Sequence, residues 1–116
     1  MIKAELERDA HRVSLEISGH AGFAPHGEDI LCAAVSALVC GLSAYAGRLD
    51  EEGFAMADSK REIGPGEARI YLHPEPQVRE RVRGAFELAA EILTILGVHF
   101  PENIHFTEKR RTINDN

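Results

Sequence analysis

Between Gly19 and Leu38 the chain reads GHAGFAPHGEDILCAAVSAL, with a histidine in a glycine-punctuated loop, then an aspartate, then a cysteine in the first turn of an apolar helix. A thiol near a helix N-terminus faces unpaired backbone N–H groups and the positive end of the macrodipole, both of which favour thiolate over thiol. Cys32 therefore stands where a nucleophile is made. A cysteine nucleophile needs a base to pair with it and return its proton to a leaving group, and donors for the oxyanion that forms on the attacked carbonyl. His20 is the candidate base. Eleven residues lie between His20 and Cys32, so contact requires the loop to fold back over the helix start, which Gly19, Gly22 and Gly27 permit. On spacing alone, the alternative for His20 is a surface histidine at a strand end. The natural oxyanion donors are the backbone N–H groups at the start of the helix.

Neighbouring residues have competing roles. Asp29 is first an N-cap, and can also orient His20, although its charge opposes a thiolate beside it. Ser36, one turn after Cys32 on the same face, either bonds back to the helix or supports the thiol. Phe23 either staples the loop to the core or lines a pocket for an apolar side chain. His26 together with His20 and Cys32 gives three possible zinc ligands, but no fourth stands at a recognisable spacing, so no metal is expected. The loop glycines lack the spacing and the lysine of a phosphate-binding loop, and no cofactor is implied. Cys40 lies two turns deeper in the helix and reads as an inert core thiol. At about 12 Å along the axis from Cys32 it is too distant for a disulfide.

These residues must be positioned by a small αβ scaffold. Ile2 to Arg8 and Val13 to Ser18 alternate apolar and polar residues around a short polar connection, the pattern of a hairpin buried on one face. From Ile30 to about Ala46 nearly every residue is apolar or small, which predicts a helix buried on most sides, with Gly47 as its stop. Gly53 to Ala57 is a weak strand candidate and Ala68 to Leu72 a better one, with Gly64-Pro65-Gly66 as a turn between them. Pro74 and Pro76 precede an amphipathic helix from about Gln77 to Leu96, whose Val78, Val82, Phe86, Ala89, Ile92, Leu93 and Leu96 share a face. Gly97 reads as its end, and Asn103 to Thr107 as a last strand. The expected class is α+β, in the order β-β-α-β-β-α-β, with two helices on a mostly antiparallel sheet. A single domain over 1–108 is followed by a charged tail, 109–116, expected to be disordered.

With 116 residues, 44% of them hydrophobic, the chain builds one modest core and not two. No export signal and no apolar stretch long enough to span a bilayer is evident, which gives the expectation of a cytoplasmic protein without membrane contact. The formal net charge of -6 argues against non-specific nucleic-acid binding and favours basic partners such as basic peptides or ribosomal proteins.

The stretch from Gly19 to Leu38 resembles the ribosomal-processing cysteine protease family, Prp, whose hallmark is a Gly-His-Ala-Gly-aromatic loop followed by Asp-aliphatic-aliphatic-Cys-Ala-Ala-Val-Ser. Here these are Gly19, His20, Ala21, Gly22 and Phe23, then Asp29, Ile30, Leu31, Cys32, Ala33, Ala34, Val35 and Ser36. Phe23 stands where tyrosine is frequent, and Pro25 and His26 lie inside the loop. The resemblance implies a homodimeric cysteine endopeptidase that removes an N-terminal extension from large-subunit ribosomal protein twenty-seven, cutting after a large apolar pair before the basic mature start. It implies Cys32 as nucleophile and His20 as general base, with Asp29 and Ser36 in support. Gly19, Ala21, Gly22, Phe23 and Gly27 would form the substrate-binding loop, ordering as substrate arrives. Two other readings of the same loop stand beside it: a non-catalytic, ribosome-associated peptide-binding module, and a thiol redox sensor.

Overall fold

The computed structural model describes residues 1–25 and 29–110. Two strands, β1 (Ile2–Arg8) and β2 (Val13–Ser18), precede the helix α1 (Ile30–Glu51). A hairpin of β3 (Lys60–Gly64) and β4 (Glu67–Leu72) follows, then a short 3-10 turn, Pro76–Val78, the helix α2 (Arg79–His99) and β5 (Ile104–Arg110). The strands form one sheet in the order β3-β4-β2-β1-β5, in which β5 runs parallel to β1 and all other pairs are antiparallel. The element order and the mostly antiparallel sheet are those expected from the sequence.

Strand alternation decides which face is covered. Ala4 sits opposite Ile17, Leu6 opposite Leu15, Leu15 opposite Ile70 and Ile2 opposite Ile104, and all of these are buried. Their intervening neighbours, Lys3, Glu5, Glu16 and Arg69, are exposed, so both helices pack on one face and leave the other to water. On the covered face α2 contributes Val82, Phe86, Ala89, Ala90 and Leu93 at helical spacing, with Phe86 and Leu93 completely buried. Ile92 and Leu96, expected on this stripe, are half-buried at its edge.

The structure corrects several boundaries. α1 runs to Glu51, through Gly47. A Cβ at Gly47 would strike the Arg61 guanidinium, which donates to the Ser43 carbonyl at 3.2 Å. Position 47 is small so that β3 can be tied to α1, not so that the helix can end. The stop is Gly53, at φ +82°, where Gly53 N–H donates to Asp50 O and Phe54 N–H to Leu49 O in a Schellman turn. Committed to that cap, the segment 53–57 forms a single bridge, Ala55 to Pro74, and the strand lies at Lys60–Gly64 instead. α2 passes Gly97 and ends at His99, because Pro101 forces Phe100 out of the helical region. β5 reaches Arg110, two residues past the expected end of the domain. Positions 111–116 of the expected tail lie outside the described residues, as does Gly27 of the loop.

α1 is also less enclosed than expected. Leu31, Val35, Val39, Leu42, Ala46 and Leu49 form a buried stripe, whereas Ile30, Ala33, Ala34, Ala37, Cys40 and Gly41 are exposed. Cys40 is therefore not a core thiol. By length and composition this helix is apolar enough to cross a bilayer, contrary to the expectation that no such stretch exists, but its buried stripe is built into the domain core. Small residues explain the misreading: alanine and glycine raise apolarity without demanding burial.

Candidate active site

The β2–α1 loop places His20 and Cys32 on the walls of one cleft, and among the described residues no hydrogen bond joins them. It leaves β2 at Gly19, at φ +94°, where any Cβ would collide with the Met1 carbonyl and where the amide donates to Gly66 O at 2.8 Å. This bond ties the loop to the β3–β4 turn. His20 follows, exposed, with its imidazole over Gly66. Ala21 then turns its methyl into the core, 2% exposed, and directs its N–H at Cys32 Sγ, 3.3 Å away. On its other side the Ala21 carbonyl accepts from Asn103 Nδ2 at 2.9 Å.

Asp29 joins the far end of the loop to the helix. Its Oδ1 accepts from the Leu31 and Cys32 amides, each at 3.0 Å, and its Oδ2 from the Phe23 amide at 3.0 Å. The Cys32 amide foremost holds the Asp29 carboxyl below its ordinary range, aided by the amides of Phe23 and Ala24 and by the Cys32 thiol, while desolvation opposes them. The N-cap role is thus realised. No hydrogen bond joins Asp29 to His20 among the described residues. The capping also takes up the Leu31 and Cys32 amides, two of the helix-start N–H groups expected to serve as oxyanion donors.

Cys32 and His20 line one cleft of about 730 Å³ between the first half of α1 and the β3–β4 hairpin. Gly19, Gly22, Asp29 and Ser36 also line it, and Val35, Val39, Ile63 and Ala68 make it largely apolar. Cys40 opens onto the same cleft, two turns along from Cys32. Phe23 does not line it; its ring stands edge-on to Phe100, centroids 5.7 Å apart, so the aromatic staples the loop to the α2–β5 corner. His26, weighed above as a zinc ligand, lies outside the described residues. Asn103 and Gly66 were not singled out in the sequence: no local motif marks Asn103, and only the Gly-Pro-Gly turn hints at Gly66.

Chemically, the cleft offers a thiol at a helix N-terminus with an amide donor on its sulfur, an imidazole on a neighbouring wall and apolar room for a substrate. A family model described as cysteine protease Prp matches residues 1–105. The ribosomal processing cysteine protease Prp of Bacillus subtilis (strain 168) is 49% identical over 43 residues, a match covering 35% of this chain and only 38% of that protein's length. Among solved structures, SMU.848 from Streptococcus mutans superposes with a TM-score of 0.66 at 26% identity, covering 96% of each chain. The ribosomal processing protease Prp from S. aureus, solved with a covalently linked product peptide, gives 0.65 at 19% identity over 94% of this chain and 100% of that one. Its complex with a substrate peptide gives 0.60 at 18% identity over the same shares. At these identities the likeness to the S. aureus protein is one of fold.

Proposed function

This chain belongs to the family of cysteine protease Prp, and from that membership we propose that it is a cysteine endopeptidase that removes the N-terminal extension of large-subunit ribosomal protein twenty-seven during ribosome maturation. The observation that carries the chemistry is the Ala21 N–H on Cys32 Sγ, at the start of α1 and within the cleft that His20 also lines.

In the proposed cycle the Cys32 thiol proton passes to His20, and the thiolate attacks the scissile carbonyl carbon, forming a C–S bond as the carbonyl electron pair moves onto oxygen. The C–N bond then breaks as His20 delivers a proton to the departing amine. His20 next takes a proton from water, whose oxygen attacks the thioester; the C–S bond breaks, the acyl half leaves as its carboxylic acid, and the proton on His20 returns to the sulfur. With the Leu31 and Cys32 amides held by Asp29, the oxyanion in this reading takes its donor from the loop backbone at Gly22, a residue that borders the cleft. Ser36 borders the same space. The apolar cleft suits large apolar residues before the cut, and the net charge of -6 suits a basic substrate after it. The reading includes a cytoplasmic site of action and a homodimer, for which exposed Ile30, Leu88, Ile95 and Val98 supply apolar surface.

The test is mass spectrometry of a synthetic peptide spanning the extension and the basic mature start, incubated with wild type, Cys32→Ala and His20→Ala. One cut at the apolar–basic junction, made by wild type and by neither variant, is expected. Folded, reduced wild type that binds the peptide and leaves it intact would overturn the reading in favour of a binding module.

A further inference from the structure

Ala21 is held on three sides. Its methyl lies in the core, its N–H donates to Cys32 Sγ, and its carbonyl accepts the amide of Asn103, 82 residues away in sequence. The next residue, Gly22, has φ +66° and room for a side chain that it lacks, so the peptide following Ala21 has a pivot beside it. Asn103 removes that freedom. It is itself fixed, its N–H donating to Phe100 O at 3.0 Å and its carbonyl accepting from Ile2 N at 2.8 Å. Phe100 is also the ring on which Phe23 rests. The α2–β5 corner therefore grips the loop twice, once on each side of Gly22.

We propose that Asn103 is a positioning residue for the nucleophile: its side-chain amide holds Ala21 in the orientation that keeps the Ala21 N–H on Cys32 Sγ. The titratable groups around the Cys32 thiol are Asp29, whose carboxyl takes a hydrogen bond from the thiol and opposes its ionisation, and His20 and Cys40 on the same cleft; a change at position 103 alters none of them. A donor on sulfur stabilises thiolate more than thiol, because hydrogen bonds to ionised groups are the stronger ones, so a loop released at Ala21 leaves less thiolate at neutral pH. This inference deepens the reading of Cys32 as nucleophile and rests on it, but it concerns the resting thiol and needs no substrate to be tested.

The experiment is the pH dependence of iodoacetamide alkylation of Cys32, followed by peptide-resolved mass spectrometry so that exposed Cys40 is scored separately, in wild type, Asn103→Asp, Asn103→Ala and Asn103→Gln. Asn103→Asp keeps the shape and removes the donor, and it faces the Ala21 carbonyl with acceptors only. The Cys32 profile of Asn103→Asp and Asn103→Ala is expected to move to higher pH, with alkylation at neutral pH lower by roughly tenfold, while the Cys40 profile stays in place. Asn103→Gln, which retains an amide donor, is expected to recover part of the loss. If the Asp and Ala variants lose thermal stability but alkylate Cys32 on the wild-type profile, Asn103 is structural only and the proposal fails. If no peptide were cleaved by wild type yet the profiles separated as described, the endopeptidase reading would fall and the positioning role would stand.

Discussion

Gly66 carries the His20 imidazole against its bare α-carbon: a Cβ at that position would lie 3.0 Å from His20 Nε2 and 3.4 Å from Cε1. The β3–β4 hairpin thus sets where the proposed base stands, although it contributes no side chain of its own at that point. Gly66 also has φ +72°, so a side chain meets both backbone strain and the ring.

Gly66→Ala is accordingly expected to lower peptide cleavage by about tenfold or more through a displaced His20, with a stability cost of about 1–2 kcal/mol from the left-handed backbone. Cys32 alkylation is expected to fall less than cleavage does, since His20 is displaced but the Ala21 donor is not touched. Steady-state cleavage measured beside alkylation separates the two effects. Full activity in a folded Gly66→Ala protein would remove the hairpin from the account.

Asp29 gives a pH dependence of defined sign. Its folded carboxyl titrates below the ordinary value, so the unfolded chain takes up the proton first as the solution is acidified. The stability it contributes is complete above about pH 4 and is lost as the pH falls through the folded value. Urea midpoints of wild type and Asp29→Asn between pH 7 and pH 2 read this directly, because asparagine caps helices but does not titrate. The wild-type advantage is expected to be flat to about pH 5 and to shrink below pH 4. An advantage that persisted undiminished at the acid end would contradict the capping account.

Gly53 and Gly47 separate two uses of glycine in α1. Gly53→Ala places a Cβ on a residue at φ +82° with open space around it, and a loss of about 1–2 kcal/mol from the backbone alone is expected. Gly47→Ala lies in an ordinary helical conformation, and its cost must come from pushing Arg61 off the Ser43 carbonyl. In a double variant with Arg61→Ala, the Gly47→Ala penalty is expected to vanish while the Gly53→Ala penalty remains, as read by chemical denaturation.

These pairs also explain how much was legible in the chain. β1, β2 and β4 are visible because one face is buried and the period-two pattern is complete. β3 was not, since it is an edge strand with every residue exposed, and no alternation marks it. The Cys32, His20, Asp29 and Ser36 cluster was legible because motif residues within one loop and one helix turn face the same cleft. Cys40 was misjudged as a core residue: eight residues past Cys32 is a little over two turns, which returns it to the same cleft. Asn103 and Gly66 were invisible for a different reason. Their partners, Ala21 and His20, meet them only after β5 has paired with β1 and β4 with β2, and nothing local in either stretch announces the meeting.

The central claim is that Cys32 forms a thioester with the acyl half of its peptide. Rapid acid quench of wild type during turnover of the extension peptide, with intact mass and tryptic mapping, tests it most directly. A transient adduct, equal in mass to the acyl fragment, is expected on Cys32 and absent from Cys40 and from the Cys32→Ala protein. Cleavage that proceeds without such an adduct, or that survives in Cys32→Ala, would contradict it.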